Sequence, residues 1–158
     1  MGAEMENDKC IDGALSVRPM ELSDVEAVAA LEQEAFAVPW SAGILRAGLQ
    51  SDLDLFYVLE LDGNLCGYGA MRILLDEGEL LRIAVALAFR RRGLAKFLMD
   101  RMMEDAKERG VTAYTLEVRE SNCGARRLYE SYGFLEEAVR KDYYSNPKED
   151  AIIMWRRQ

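Results

Sequence analysis

The stretch AVALAFRRRGLAKFLMDRM, Ala84–Met102, decides how the rest of the chain is read. A short apolar run meets Arg90, Arg91 and Arg92, then Gly93, then residues at helical spacing. Leu94, Phe97, Leu98, Met102 and Ala106 recur at that period and predict a helix, which Gly110 stops. The residues before it, Glu79–Ala84, predict a strand. A strand, a turn and a helix in this order gather free backbone N–H groups at the helix start. The helix dipole adds about half an elementary positive charge there. Gly93 permits close approach or unusual backbone angles, Ala95 keeps the opening clear, and the arginines add charge. On spacing alone, a phosphate cradle and a solvated basic loop fit this turn equally, and nucleic acid fits it less well. The turn is neither a P-loop nor a G-x-G-x-x-G dinucleotide fingerprint.

Outward from this motif, helices and strands alternate. Ala14–Met20 predicts a first strand, and Ser23 with Glu26 forms a capping-box pattern that opens a helix with Val25, Val28, Ala29, Leu31 and Phe36 on its apolar side. Pro39 and Trp40 interrupt it, and Ser41 caps a second helix. Leu55–Leu61 and Leu65–Leu75 flank Asp62-Gly63-Asn64, a hairpin signal. Thr112–Val118 predicts a strand, the segment from Asn122 to Gly133 a helix, and FLEEAVRKDYY and EDAIIMWRR two closing strands. The architecture expected is a single α/β domain over residues 13–158, with a mixed sheet and helices on both faces. Residues 1–12 are expected to be a disordered tail.

Composition narrows the chemistry. The 158 residues carry a net charge of −8, and the isoelectric point is about 4.7. That balance argues against direct nucleic-acid binding, which needs a basic face, and favours basic partners. Cys10, Cys66 and Cys123 are odd in number and far apart, which suggests neither disulfides nor zinc and fits a cytoplasmic protein. No apolar run reaches membrane-spanning length, and the acidic start MGAEMENDKC is unlike a signal peptide. The chain has no histidine, so Ser-His-Asp and Cys-His nucleophiles and His-rich zinc sites are excluded, and no metal is expected. Acid–base work falls to carboxylate, tyrosine, cysteine, lysine or water.

Arg90-Arg91-Arg92-Gly93-Leu94-Ala95 resembles the pyrophosphate signature Q/R-x-x-G-x-G/A of the GCN5-related N-acetyltransferase (GNAT) superfamily. Within that superfamily, FAVPWS (Phe36–Ser41), TLEVRESNCGARRLYESYGF (Thr115–Phe134) and RKDYYSNPKEDAIIM (Arg140–Met154) resemble the bacterial ribosomal-protein-alanine N-acetyltransferases. The likeness runs from about Val17 onward. It implies the GNAT fold: a mostly antiparallel mixed sheet of six to seven strands, splayed between its fourth and fifth, with about four helices. Acetyl-CoA would be the donor, held in the splay. Two departures stand out: Arg82 replaces a frequent Asn, and Ala86-Leu87 replaces a frequent Asp-Pro.

The resemblance also implies roles. Glu117 would be the general base, where base rate alone reads it as a solvent-facing glutamate. A partly desolvated glutamate there would have a raised pKa. Tyr129, at core spacing with Ala125 and Leu128, would be the acid for the departing thiolate. The cofactor would contact Ile83, Ala84 and Val85 through their backbone, the turn Arg90, Arg91, Arg92, Gly93, Leu94, Ala95 and Lys96, and Asn122, which also suits a helix cap. Pro39, Trp40, Arg140, Tyr143 and Tyr144 would wall the acceptor groove. The methionines from Met99 to Met103 read as core filler. The implied reaction is direct transfer in a ternary complex to a protein N-terminus, most often a small-subunit ribosomal protein's alanine, by a monomer or weak dimer. A small-molecule amine acceptor, such as a polyamine or aminoglycoside, and a non-catalytic acyl-CoA-binding module are the alternatives. The presence of both Glu117 and Tyr129 speaks against the second.

Overall fold

The computed structural model describes residues 14–157, so the tail expected at 1–12, Cys10 included, lies outside the described residues. Strand β1 (Leu15–Pro19) leads through a 3-10 turn (Leu22–Asp24) into α1 (Val25–Ala35) and α2 (Ala42–Leu49). There follow β2 (Asp54–Leu61), β3 (Asn64–Leu74), β4 (Glu77–Val85), a second 3-10 turn (Leu87–Phe89) and α3 (Ala95–Glu108). The chain closes with β5 (Ala113–Arg119), α4 (Cys123–Ser131), β6 (Leu135–Tyr144) and β7 (Glu149–Arg157). No helix among the described residues is long and apolar enough to cross a membrane.

The seven strands form one sheet in the order β1-β2-β3-β4-β5-β7-β6. Every adjacent pair is antiparallel except β4 and β5. On β2, Leu55, Tyr57 and Leu59 enter one core and Phe56 and Val58 the other, so both faces are covered. The first core packs against α3 through Leu98, Met99, Met102, Met103 and Ala106, the methionines serving there as filler. The second packs against α1 and α2 through Val25, Val28, Leu31 and Leu45. Each fully buried valine, leucine or methionine among them contributes about 1.5–3 kcal/mol.

The splay has a local cause. β4 pairs with β5 only from Glu77↔Ala113 to Leu80↔Leu116. On its other edge the register with β3 shifts between Leu80 and Arg82, so Leu81 is an extra, bulged residue. A bulge bends its strand. Beyond it, Ile83–Val85 stay paired to β3 and leave β5.

Two termini are decided locally. Asp62 (φ 53°) and Gly63 (φ 80°) are both left-handed, as the tight β2–β3 hairpin requires. Ser41 accepts from the Ile44 N–H at 3.2 Å and caps α2 as expected. The expected Ser23–Glu26 box does not form. Ser23 sits inside the 3-10 turn, and the Asp24 carboxylate instead takes the Glu21 N–H at 2.8 Å. Arg18, from β1, fixes that carboxylate with two bonds of 2.8 and 2.9 Å.

The Arg18 hydrogen bonds hold the Asp24 carboxyl below the usual carboxylate range, more than offsetting its burial. A depressed folded pKa stabilises above the unfolded value and loses that effect as pH falls through the folded one. The melting-temperature gap between wild type and Asp24→Asn should therefore be widest at pH 7 and close below about pH 4. A gap constant over pH 7 to 3 would assign the effect to packing alone.

Candidate active site

The cleft opens where β4 leaves β5. Its volume is about 880 Å³, and its walls are the end of β4, the turn before α3, β5 beyond Leu116, and α4. Ile83, Ala84 and Val85 present to it a strand edge that β5 does not pair. Such an edge carries N–H and C=O groups that want partners, which suits an amide-rich, extended ligand.

The turn differs in detail from a strand running straight into Gly93. The 3-10 turn Leu87–Phe89 intervenes, and both Arg91 (φ 64°) and Gly93 (φ 70°) are left-handed. Left-handed residues before a helix build the backbone concavities that bind anions. A Cβ on Gly93 would meet nothing within 4 Å, so the glycine answers to its backbone angle and to the open space in front of it. The three arginines part company here. Arg90 turns back and donates from Nε to the Val85 carbonyl at 2.8 Å. Arg91 lines the cleft with Arg90, Gly93, Leu94, Ala95 and Lys96. Arg92 is not among the lining residues, and its guanidinium stands over the Phe89 ring at 5.5 Å.

Glu117 is the first β5 residue past the last β4 pair, at the fork of the cleft, with its side chain 24% exposed. Arg140 Nε lies 3.7 Å from its Oε1. Hydrogen bonding to Glu117, with some burial, raises the Tyr143 pKa. Burial first, and the Glu117 charge second, push Tyr144 up to about 12. Tyr143 and Tyr144 meet edge to face at 5.1 Å, and Arg119 stacks on Tyr144 at 4.5 Å. Tyr144 faces the cleft, while Arg140 and Tyr143 reach it only through Glu117.

Across the fork, α4 carries Tyr129, 6% exposed and edge-on to Phe134 at 6.1 Å. Burial raises its phenol well above the ordinary value, so it stays protonated. Asn122 Oδ1 caps α4 by accepting from the Ala125 N–H at 3.2 Å, and the residue lines the cleft as well. Pro39 and Trp40 do not line it, whereas Phe36 and Ala37 of the same loop do.

Three residues that sequence reasoning missed belong here. Tyr132 lines the cleft and donates to the Lys96 carbonyl at 3.0 Å, tying α4 to the first turn of α3. Its signal was available, because it lies three residues from Tyr129 on one helix face. Glu79 sits opposite Thr115, two residues from Glu117 on the same strand face; burial, then the Glu117 charge, raise its carboxyl pKa. Only the strand register could reveal that neighbour. Arg82, noted only as a departure, lines the cleft beside Phe36.

Known proteins match this architecture. The model of the acetyltransferase (GNAT) family matches residues 25–134. A ribosomal protein bS18-alanine N-acetyltransferase of Escherichia coli (strain K12) is 37% identical, covering 88% of this chain and 95% of that protein. Its counterpart in Salmonella typhimurium (strain LT2) is 39% identical over 85% of this chain and 92% of its own length. The crystal structure of the Escherichia coli ribosomal-protein-alanine enzyme superposes with a TM-score of 0.84 at 35% identity, covering 91% of this chain and 94% of that one. With a seven-stranded sheet, a parallel β4–β5 junction that opens into a cleft, and a family match across most of its length, the chain belongs to the acetyltransferase (GNAT) family.

Proposed function

We propose that this enzyme transfers an acetyl group from acetyl-CoA to the α-amine of a protein N-terminal alanine, with a small ribosomal protein of the bS18 type as acceptor. The observation that carries it is the identity of 37% over most of both chains with an enzyme named for that reaction. The geometry supports it with a carboxylate at the fork, a buried phenol opposite, and a strand edge between them.

The cavity's size, the unpaired Ile83–Val85 edge and the open space at Gly93 fit the donor. Acetyl-CoA supplies a thioester: a bond forms from the amine nitrogen to its carbonyl carbon, and the carbon–sulfur bond breaks. Glu117 takes the proton that the amine nitrogen gives up, and the Tyr129 hydroxyl donates a hydrogen bond to the sulfur, which leaves as the thiolate. A β4 backbone N–H aimed at the carbonyl oxygen is worth ~3 kcal/mol. Arg91 and the Gly93–Lys96 segment hold the pyrophosphate. Arg140 and Tyr143 keep the Glu117 carboxylate in place, and the Phe36–Ser41 loop with Tyr144 borders the acceptor. Residues 13–158 act as one catalytic domain in the cytoplasm, as a monomer or weak dimer.

Free α-amines titrate near ~7.7–8.0 and lysine near ~10.4, so at neutral pH deprotonation costs ~1 kcal/mol for the first and over ~4 kcal/mol for the second. One carboxylate without histidine suits the easier task. The acidic chain also speeds encounter with a basic ribosomal tail. In competition, a peptide with a free N-terminal alanine and an internal lysine should be acetylated on its α-amine alone, read by mass spectrometry. Equal transfer to the N-terminally blocked peptide, or a preference for polyamines over both, would overturn the acceptor assignment.

A further inference from the structure

A buried ion pair beside the cleft takes no part in the proton transfers above. Arg82 follows the Leu81 bulge on β4, and its side chain, 18% exposed, reaches the fully buried Glu32 of α1. Nη2 lies 3.3 Å from Glu32 Oε1. Nε lies 3.2 Å from Oε2 but off the hydrogen-bond axis, so this buried nitrogen has no aligned acceptor. The same carboxylate accepts from the Trp40 N–H at 2.7 Å and from the Tyr68 hydroxyl.

Desolvation makes such a pair a poor source of stability; its effect lies in what it holds. Arg82 Nη2 donates to the Val38 carbonyl at 3.1 Å. Its guanidinium carbon stands 4.1 Å from the centre of the Phe36 ring and 4.4 Å from that of Trp40. The backbone of Val38 and Trp40 and the rings of Phe36 and Trp40 therefore all end on one ion pair. Phe36 and Ala37, at the start of this loop, line the cleft. A lysine could face Glu32, but an ammonium has no planar fork to stack on two rings while donating to a carbonyl.

We propose that Arg82, seated on Glu32, is a positioning residue that fixes the Phe36–Trp40 loop against the end of β4 and so shapes the acceptor side of the cleft. The proposal rests on the acceptor reading above, in which this loop borders the groove.

Steady-state kinetics with the free-alanine peptide, calorimetry with acetyl-CoA, and thermal melts of wild type, Arg82→Asn and Arg82→Lys test it. Arg82→Asn should raise the peptide KM about 10-fold or more. Its kcat at saturating peptide and its acetyl-CoA affinity should hold. Arg82→Lys, which keeps a charge on Glu32, should melt near wild type yet retain the raised KM. A purely structural role would restore melting and KM together in the lysine variant. That result, or an unchanged peptide KM in either folded variant, overturns the proposal. If Arg82→Asn fails to fold, the lysine variant decides alone. Absence of transfer by wild type would overturn the acceptor reading and this proposal with it, and is seen before any variant is compared.

Discussion

Glu117→Gln is expected to lower kcat by ~10²–10⁴-fold, the range for removal of a positioned acid–base group, with acetyl-CoA affinity nearly unchanged. The amide keeps the size and loses the ability to take a proton. Because Glu117 stands at the open fork of the cleft with its side chain 24% exposed, the substitution should also leave the fold intact. Tyr129→Phe is the companion. Burial raises the Tyr129 pKa above its ordinary value, so the phenol is a weaker donor to a thiolate whose conjugate acid titrates near ~8.5. Its contribution is therefore a hydrogen bond to the developing sulfur anion more than complete transfer, and the expected loss falls at the low end, ~10²-fold. The raised pKa has a sign that can be checked: the acid form persists as pH rises, so wild-type kcat should not fall below about pH 10. Loss of activity across pH 8–9 would contradict that, and near-wild-type rates in both variants would leave Glu117 a surface glutamate and Tyr129 a core tyrosine.

Gly93→Glu should collapse acetyl-CoA binding while the protein stays folded. Two effects can be separated. A side chain at φ 70° is strained, by roughly 1–2 kcal/mol, but meets no neighbour within 4 Å. The added charge then stands at the N-terminus of α3, where the dipole otherwise favours an anion. Repulsion between unit charges ~4 Å apart near a protein surface is ~4 kcal/mol, and at 1.4 kcal/mol per decade a loss of ~10²–10³-fold in Kd follows. Gly93→Ala carries the strain without the charge and should lose melting temperature but little affinity by calorimetry. Equal affinities in wild type and the Glu variant would remove the pyrophosphate assignment. Arg92→Ala should bind acetyl-CoA as wild type does, because Arg92 stands over Phe89 and outside the cleft.

The signals legible in the sequence were short-range ones. The period of Leu94, Leu98 and Met102 belongs to one helix, and Asp62-Gly63 to one turn; each is set by backbone geometry over a few residues. Gly93 before a helix, and the lack of histidine, bounded the chemistry before any contact was known. The Ser23 cap lost to a local rival two residues upstream: Glu21 and Asp24 form the capping box instead, and Arg18, on the preceding strand, holds the Asp24 carboxylate in it.

What the sequence determined by itself is the order of helices and strands, a glycine turn that opens a helix, and a chemistry without histidine; the carboxylate and phenol roles came only with the family resemblance. Tertiary structure alone decided that Leu81 bulges and so opens the sheet, that Arg90 bonds back to the Val85 carbonyl while Arg92 stands over Phe89, and that Glu79 lies near Glu117. It also joined Arg82 to Glu32, fifty residues away. The physical reason is that a strand's period of two fixes which face a side chain takes, but not which strand lies beside it. Ion pairs and registers depend on that neighbour, which exists only once the sheet has formed.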